Sequence, residues 1–166
     1  MRPWRFITSG LKSLMRPLLY STKKTSEIKD WALGYSLLID YYLNNDKLPE
    51  AKEVMKKAIA NVADNIRFLL QLASVEETEG NYTEAKKLYE SILNKNNAVD
   101  IAANNLASLL TDQFESADNL QQALTLSQRF KTSTQPFFLD TYGWVNYKLG
   151  NLSEAKSALE QAVALD

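Results

Sequence analysis

Two stretches decide how this chain folds: GNYTEAKKLYESI at residues 80–92 and GNLSEAKSALEQA at residues 150–162. Glu-Ala-Lys recurs at 50–52, 84–86 and 154–156. Around each alanine (Ala51, Ala85, Ala155) the same frame extends. A large apolar residue stands three positions before it (Leu48, Tyr82, Leu152), another four after it (Met55, Tyr89, Leu159), and Ala58, Ile92 or Ala162 seven after it. Offsets of three, four and seven put these side chains on one face of a helix. A weaker copy, Leu120, Ala123, Ser127 and Phe130, fits the same frame.

A second helical segment precedes each alanine, marked by Leu38-Ile39, Leu72-Ala73, Leu106-Ala107 and Tyr142-Gly143. The first three pairs are 34 residues apart and the last step is 36. Asp46, Gly80 and Gly150 stand at the turn between the two segments, whereas the third copy has a four-residue insertion around 112–116. Pro49 and Pro136 suit first-turn positions, and Asn81, Asn151 and Ser153 are candidate caps. The spacing predicts nine helices, near 4–20, 30–45, 48–62, 65–79, 82–95, 99–112, 117–131, 136–149 and 152–165, and no strand.

A helix–turn–helix unit repeating every 34 residues resembles the tetratricopeptide repeat. The fourth copy matches best, through Tyr142-Gly143, Gly150-Asn151-Leu152, Glu154-Ala155, Leu159 and Ala162, and the second is close. The first departs, with Ile39 in the small-residue position and Asp46 at the turn; Trp31 and Gly34 look like the family's pair but are out of register with Ala51. The resemblance covers about residues 32–166 and implies an all-α, right-handed solenoid with repeats near 32–65, 66–99, 100–135 and 136–166. Small residues at the helix contacts allow axes to approach to about 8–10 Å.

Composition narrows the chemistry. The chain has no histidine and no cysteine, so a Ser-His-Asp triad, a Cys-His dyad and any thiolate or imidazole metal site are excluded. Neither a glycine-rich phosphate loop nor a dinucleotide fingerprint occurs. The acidic clusters Glu76-Glu77-Glu79 and Glu50/Glu53 fall at helix ends, where charge is usually a solvated face. The expectation is no enzyme, no cofactor and no metal.

Charge is unevenly distributed. Residues 1–29 carry seven basic residues against one acid, whereas residues 30–166 carry twelve basic against nineteen acidic. The acidic body disfavours nucleic acid as a partner. The basic head, 1–29, is set apart from the repeats, 30–166; within it Trp4, Ile7, Leu11, Leu14, Met15 and Leu18 form an apolar stripe opposite Arg5, Lys12 and Arg16. Three readings stay open: a helix packed on the first repeat, a membrane-surface helix through residues 1–20, or a targeting segment. No apolar run is long enough for a transmembrane span.

The resemblance implies a non-catalytic scaffold that holds a partner peptide or helix in a concave groove lined by the first helix of each repeat. Carried over position by position, that groove takes Leu33, Ser36, Asp40 and Leu43, then Arg67, Leu70, Ser74 and Glu77, then Ile101, Asn104, Ser108 and Thr111, then Phe137, Asp140, Trp144 and Tyr147. The candidate contacts are Asp40, Arg67, Glu77, Asn104, Asn105, Phe137, Asp140, Trp144 and Tyr147. Of the family's cationic clamp for chaperone tails only Gln71 and Asn105 could donate, so that activity is not expected. Asn104 or Asn105 could bond a peptide backbone. Phe137, Trp144 and Tyr147 form an aromatic group suited either to an interface or to the core between the last repeats. The alternative function is a membrane-peripheral adaptor docking on anionic lipid through the basic head.

The segments 104–110 and 139–145 are similar to bacterial repeat proteins of envelope and exopolysaccharide export, which points to a bacterial cytoplasm or envelope. The last helix carries Leu152, Ala155, Ala158, Leu159, Ala162, Val163 and Leu165, too broad a spread for one contact. Part of it is expected to be exposed. Because the break falls inside a repeat, a chain that continues is favoured over end-to-end self-association.

Overall fold

The computed structural model describes residues 31–165. Eight α-helices follow one another: α1 (Ala32–Leu43), α2 (Leu48–Asn61), α3 (Ile66–Thr78), α4 (Tyr82–Lys95), α5 (Asp100–Gln113), α6 (Ala117–Ser127), α7 (Pro136–Lys148) and α8 (Leu152–Leu165). No strand occurs among the described residues. The helix expected at 4–20 lies outside them. The chain divides into two compact units, one up to Phe68 and one from Leu69 onward.

In the first unit α1 packs on α2. Tyr35, Ile39, Ala51, Val54, Met55, Ala58 and Phe68 are buried there, and the Tyr35 ring meets Phe68 edge-on, with centroids 6.4 Å apart. The Trp31 ring lies directly over Gly34, so close that a Cβ at Gly34 would overlap it. This tryptophan–glycine pair therefore closes the start of α1 locally and has no part in the alanine frame.

In the second unit α4 packs on α5, α5 on α6, α6 on α7, and α7 on both α8 and α5. Ala85, Ala123 and Ala155 are buried, as the repeat frame requires. At Gly143 a Cβ would come within 2.8 Å of Leu159 Cγ and 3.3 Å of the Ala155 carbonyl oxygen. Phe130 stacks on Phe138 with ring centroids 4.3 Å apart and packs with Ala103, Tyr142 and Ala158.

The turns repeat as closely as the helices. Gly80 and Gly150 both have φ of 78°, and Asp46 takes the same left-handed conformation at 57°. In each turn the residue after the left-handed one donates its N–H five residues back: Lys47 to Tyr42, Asn81 to Glu76 and Asn151 to Asn146. That is the bonding of a helix end closed by a left-handed residue. It corrects the expected caps. Asn81 does not cap α4 with its side chain but donates Nδ2 backwards to Glu76 Oε2 at 2.8 Å, and Asn151 donates to Asn146 Oδ1 at 3.1 Å. The tight turn brings each amide against the helix it has just left. Ser153 lies inside α8. A cap bond of the expected kind occurs at Ser116, whose Oγ accepts from Asn119 N at 3.2 Å. The helix expected to run to 131 ends at Ser127 and continues as a 3-10 turn, Gln128–Phe130.

Leucine at either Ala85 or Ala155 should overpack its helix contact and cost about 1–3 kcal/mol. Urea denaturation of the two variants checks this; unchanged midpoints in both would show that these alanines do not set the helix spacing.

Candidate protein-binding surface

The groove positions carried over from the resemblance are mostly accessible, with two exceptions. Ser36 and Thr111 are buried, each with its hydroxyl donating to the carbonyl four residues earlier (Ala32 at 2.8 Å, Ala107 at 2.7 Å). Both fall on the packed edge of their helices, where a small hydroxyl is tolerated because its own backbone satisfies it. Asp40 and Arg67 are exposed and belong to the first unit; the Arg67 guanidinium lies 5.5 Å from the ring centroid of Phe68.

Within the second unit three candidate residues join one polar chain. Asn104 Nδ2 donates to Asn105 Oδ1 at 3.2 Å, Asn105 Nδ2 donates to the Tyr89 hydroxyl at 3.2 Å, and that hydroxyl donates to Glu77 Oε2 at 2.9 Å. Tyr89 was readable only as core volume. A buried phenol nevertheless needs a partner; α3 supplies Glu77, α4 the tyrosine itself and α5 both asparagines. Burial pushes the Tyr89 hydroxyl far above the usual tyrosine range; the nearby Glu77 charge adds to this and the Asn105 hydrogen bond opposes it. The oxygens of Gln71 and Asn104 are buried acceptors without a hydrogen-bond donor. Glu76, expected on a solvated face, is buried and accepts from Asn81.

The aromatic group lies on α7. Phe137, Trp144 and Tyr147 are 47%, 38% and 52% exposed, so none belongs to the core. Trp144 is nonetheless held in place. Its indole N–H donates to Asp112 Oδ1 of α5 at 2.8 Å, its ring stacks on Tyr147 with centroids 5.4 Å apart, and Lys148 Nζ lies 5.6 Å from its centroid. Lys148 also pairs with Glu115 at 3.2 Å. The role of Asp112 was not legible along the chain, because residue 144 meets residue 112 only once α5 and α7 lie side by side. Asp140 is exposed on the same helix.

Elsewhere in the second unit, Tyr142 and Lys131 converge on Glu154. The hydroxyl donates to Oε1 at 2.9 Å and Lys131 Nζ lies 3.0 Å from it. The Lys131 and Tyr142 hydrogen bonds hold the Glu154 carboxyl below its usual range. On α8, Val163 is 79% exposed, together with exposed Leu152 and Leu165. Among the described residues no group of acidic side chains is arranged to hold a metal ion, and no helix is long and apolar enough to cross a membrane.

Tyr89→Phe should cost about 1–3 kcal/mol, since it strips a donor from Glu77 and an acceptor from Asn105 inside the fold. The pH dependence has a definite sign. Above the ordinary tyrosine value of 10.0 the unfolded chain loses its phenolic proton while the native Tyr89 keeps it. Stability therefore falls as pH rises, by at most about 1.4 kcal/mol per pH unit for this one group. Urea midpoints between neutral pH and the alkaline limit should decline less steeply in Tyr89→Phe than in the native chain. An identical slope would mean that Tyr89 ionises as it does in water.

Comparison with known proteins agrees with the helical-repeat fold. The tetratricopeptide repeat family model matches residues 66–94 and 139–166. A TPR repeat-containing protein of Pseudomonas aeruginosa is 22% identical over 142 residues, covering 85% of this chain; the chain spans only 24% of that protein's length. Among solved structures, MamA of Desulfovibrio magneticus has a TM-score of 0.68 at 17% identity, over 81% of this chain and 75% of that one. TPR-like repeats from Podosopora anserina have a TM-score of 0.64 at 17% identity, over 93% of this chain and 83% of theirs. Residues 66–94 and 139–166 thus match the tetratricopeptide repeat in sequence, and the described helices share the fold of solved tetratricopeptide-repeat structures.

Proposed function

We propose that the chain is a non-catalytic scaffold that holds a segment of a partner protein against the exposed face of α5 and α7 in its second unit. Repeats of this family serve as protein-interaction scaffolds, and the feature that carries the reading here is the fixed Trp144 indole. An exposed tryptophan would ordinarily lose rotamer freedom on binding. This one is already oriented by Asp112 and Tyr147, so less freedom remains to be lost. Aromatic anchors of this kind concentrate binding energy.

Ile101 and Phe137, both exposed, extend the apolar area toward the start of the two helices. Asn104 and Asn105 each use one amide hydrogen inside the polar chain, leaving a second for a partner's carbonyl. Asp40 and Arg67 are further exposed candidates in the first unit.

Capture of the partner from the native host, followed by affinity measurement, tests the surface. Trp144→Ala should weaken binding at least about tenfold, equivalent to about 1.4 kcal/mol. The far-UV circular dichroism should stay unchanged, because the side chain is outside the core. Native affinity in a folded Trp144→Ala variant would remove this face as the binding surface.

Self-association is a separate reading, favoured by the exposed Leu152, Val163 and Leu165 of α8. Light scattering over a concentration range should show a mass that rises toward twice the monomer and falls back in Val163→Glu. A constant monomer mass would exclude it.

A further inference from the structure

Resting on the surface proposed above, we propose that the Phe137–Asp140–Trp144 stripe of α7 receives a cationic side chain of the partner, arginine in preference to lysine. Residues 137, 140 and 144 are three and four apart, so their side chains share one side of the helix. The carboxylate of Asp140 thus stands between two exposed aromatic side chains.

Charge accounting within the unit separates this carboxylate from the others facing the same way. Asp112 is engaged by the Trp144 indole and Glu77 by the Tyr89 hydroxyl. Asp100 faces Arg129 at 3.5 Å. Among the described residues Asp140 has no hydrogen-bond or ion-pair partner. The unit cannot readily neutralise it, because residues 69–166 hold seven basic against thirteen acidic residues. Lys86, Lys87, Arg129, Lys131, Lys148 and Lys156 already lie against carboxylates of their own. The missing positive charge is therefore one that a partner can bring.

The flanking rings select among cations. A guanidinium is planar and weakly hydrated; it stacks on aromatic faces while its edge donates two parallel hydrogen bonds to a carboxylate. An ammonium offers a compact, strongly hydrated charge and makes the same pair less well. Lys148 already illustrates the attraction of the Trp144 ring for a cation, from the side away from Asp140 in sequence. An acidic partner segment would meet only uncompensated like charge on this stripe.

The test uses the full chain and a phage-displayed library of random peptides as the probe. Selected sequences should be enriched in arginine next to apolar residues. The best synthetic peptide should bind Asp140→Asn at least about fivefold more weakly at low salt, and the difference should shrink in roughly 0.5 M salt, where an exposed pair is screened. The same peptide with its basic residue changed to glutamine should bind the native chain and Asp140→Asn equally. Asp140→Asn is near-isosteric at an exposed position, and an unchanged urea midpoint confirms that it folds. Selected peptides without basic residues, or equal binding of the arginine peptide to both proteins, would overturn the cation proposal; loss of binding in Trp144→Ala would then leave the surface itself standing. Binding indifferent to Trp144→Ala, or no selected peptide at all, would overturn both.

Discussion

Everything in the second unit depends on how closely helices approach at their small residues. Gly143 shows the limit: a single added carbon would press on Leu159 and approach the Ala155 carbonyl. Ala155, Ala158 and Ala162 of α8 are buried on the same helix that leaves Val163 exposed. Dispersion and the removal of apolar surface from water reward contact only at full packing density. The small residues let the backbones supply part of that contact, and the large frame residues, such as Tyr89 and Ile92, fill what remains.

Close packing then dictates the polar chemistry. A tyrosine large enough to fill the space at position 89 carries its hydroxyl into the interior. There it costs free energy unless bonded. Glu77 and Asn105 meet that need, and Asn104 extends the chain. Residues that look like free contacts in one dimension are thus partly committed to stability. A carboxylate holding a buried phenol is a different chemical object from one in water, which is why Glu77 and Asp140 are not equivalent although both are groove positions of their repeats.

The helices were legible because their apolar period is strict and their turns carry glycine or aspartate at the left-handed position. Ala85 and Ala155 were readable as buried from spacing alone. Cap chemistry was not, because Asn81 and Asn151 have two possible neighbours, the helix ahead and the helix behind, and only the turn geometry chooses. The end of α6 is hard to read from spacing for a related reason. Phe130 keeps its place in the apolar frame, yet the chain reaches it through a 3-10 turn. At the candidate surface, the aromatic spacing of Phe137, Trp144 and Tyr147 was visible, but two outcomes fitted it equally. Whether the group is exposed or packed in the core is set by the position of α5, since Asp112 holds the indole outward.

That bond also explains why the exposed Trp144 of α7 is held in one orientation, whereas the exposed Leu152, Val163 and Leu165 of α8 are not. The second helix of the last hairpin spends its alanines on contact with the first, leaving isolated aliphatic side chains with no polar partner to orient them. The first helix contacts α5 as well, and the gap between their outer edges is bridged by a donor–acceptor pair. A side chain pinned by one hydrogen bond and one stacked ring keeps a fixed outline while remaining accessible, which apolar contact alone cannot achieve at an edge. Orientation without burial is what a recognition surface needs, and in this unit it follows from placing an aspartate on one helix opposite a tryptophan on the next.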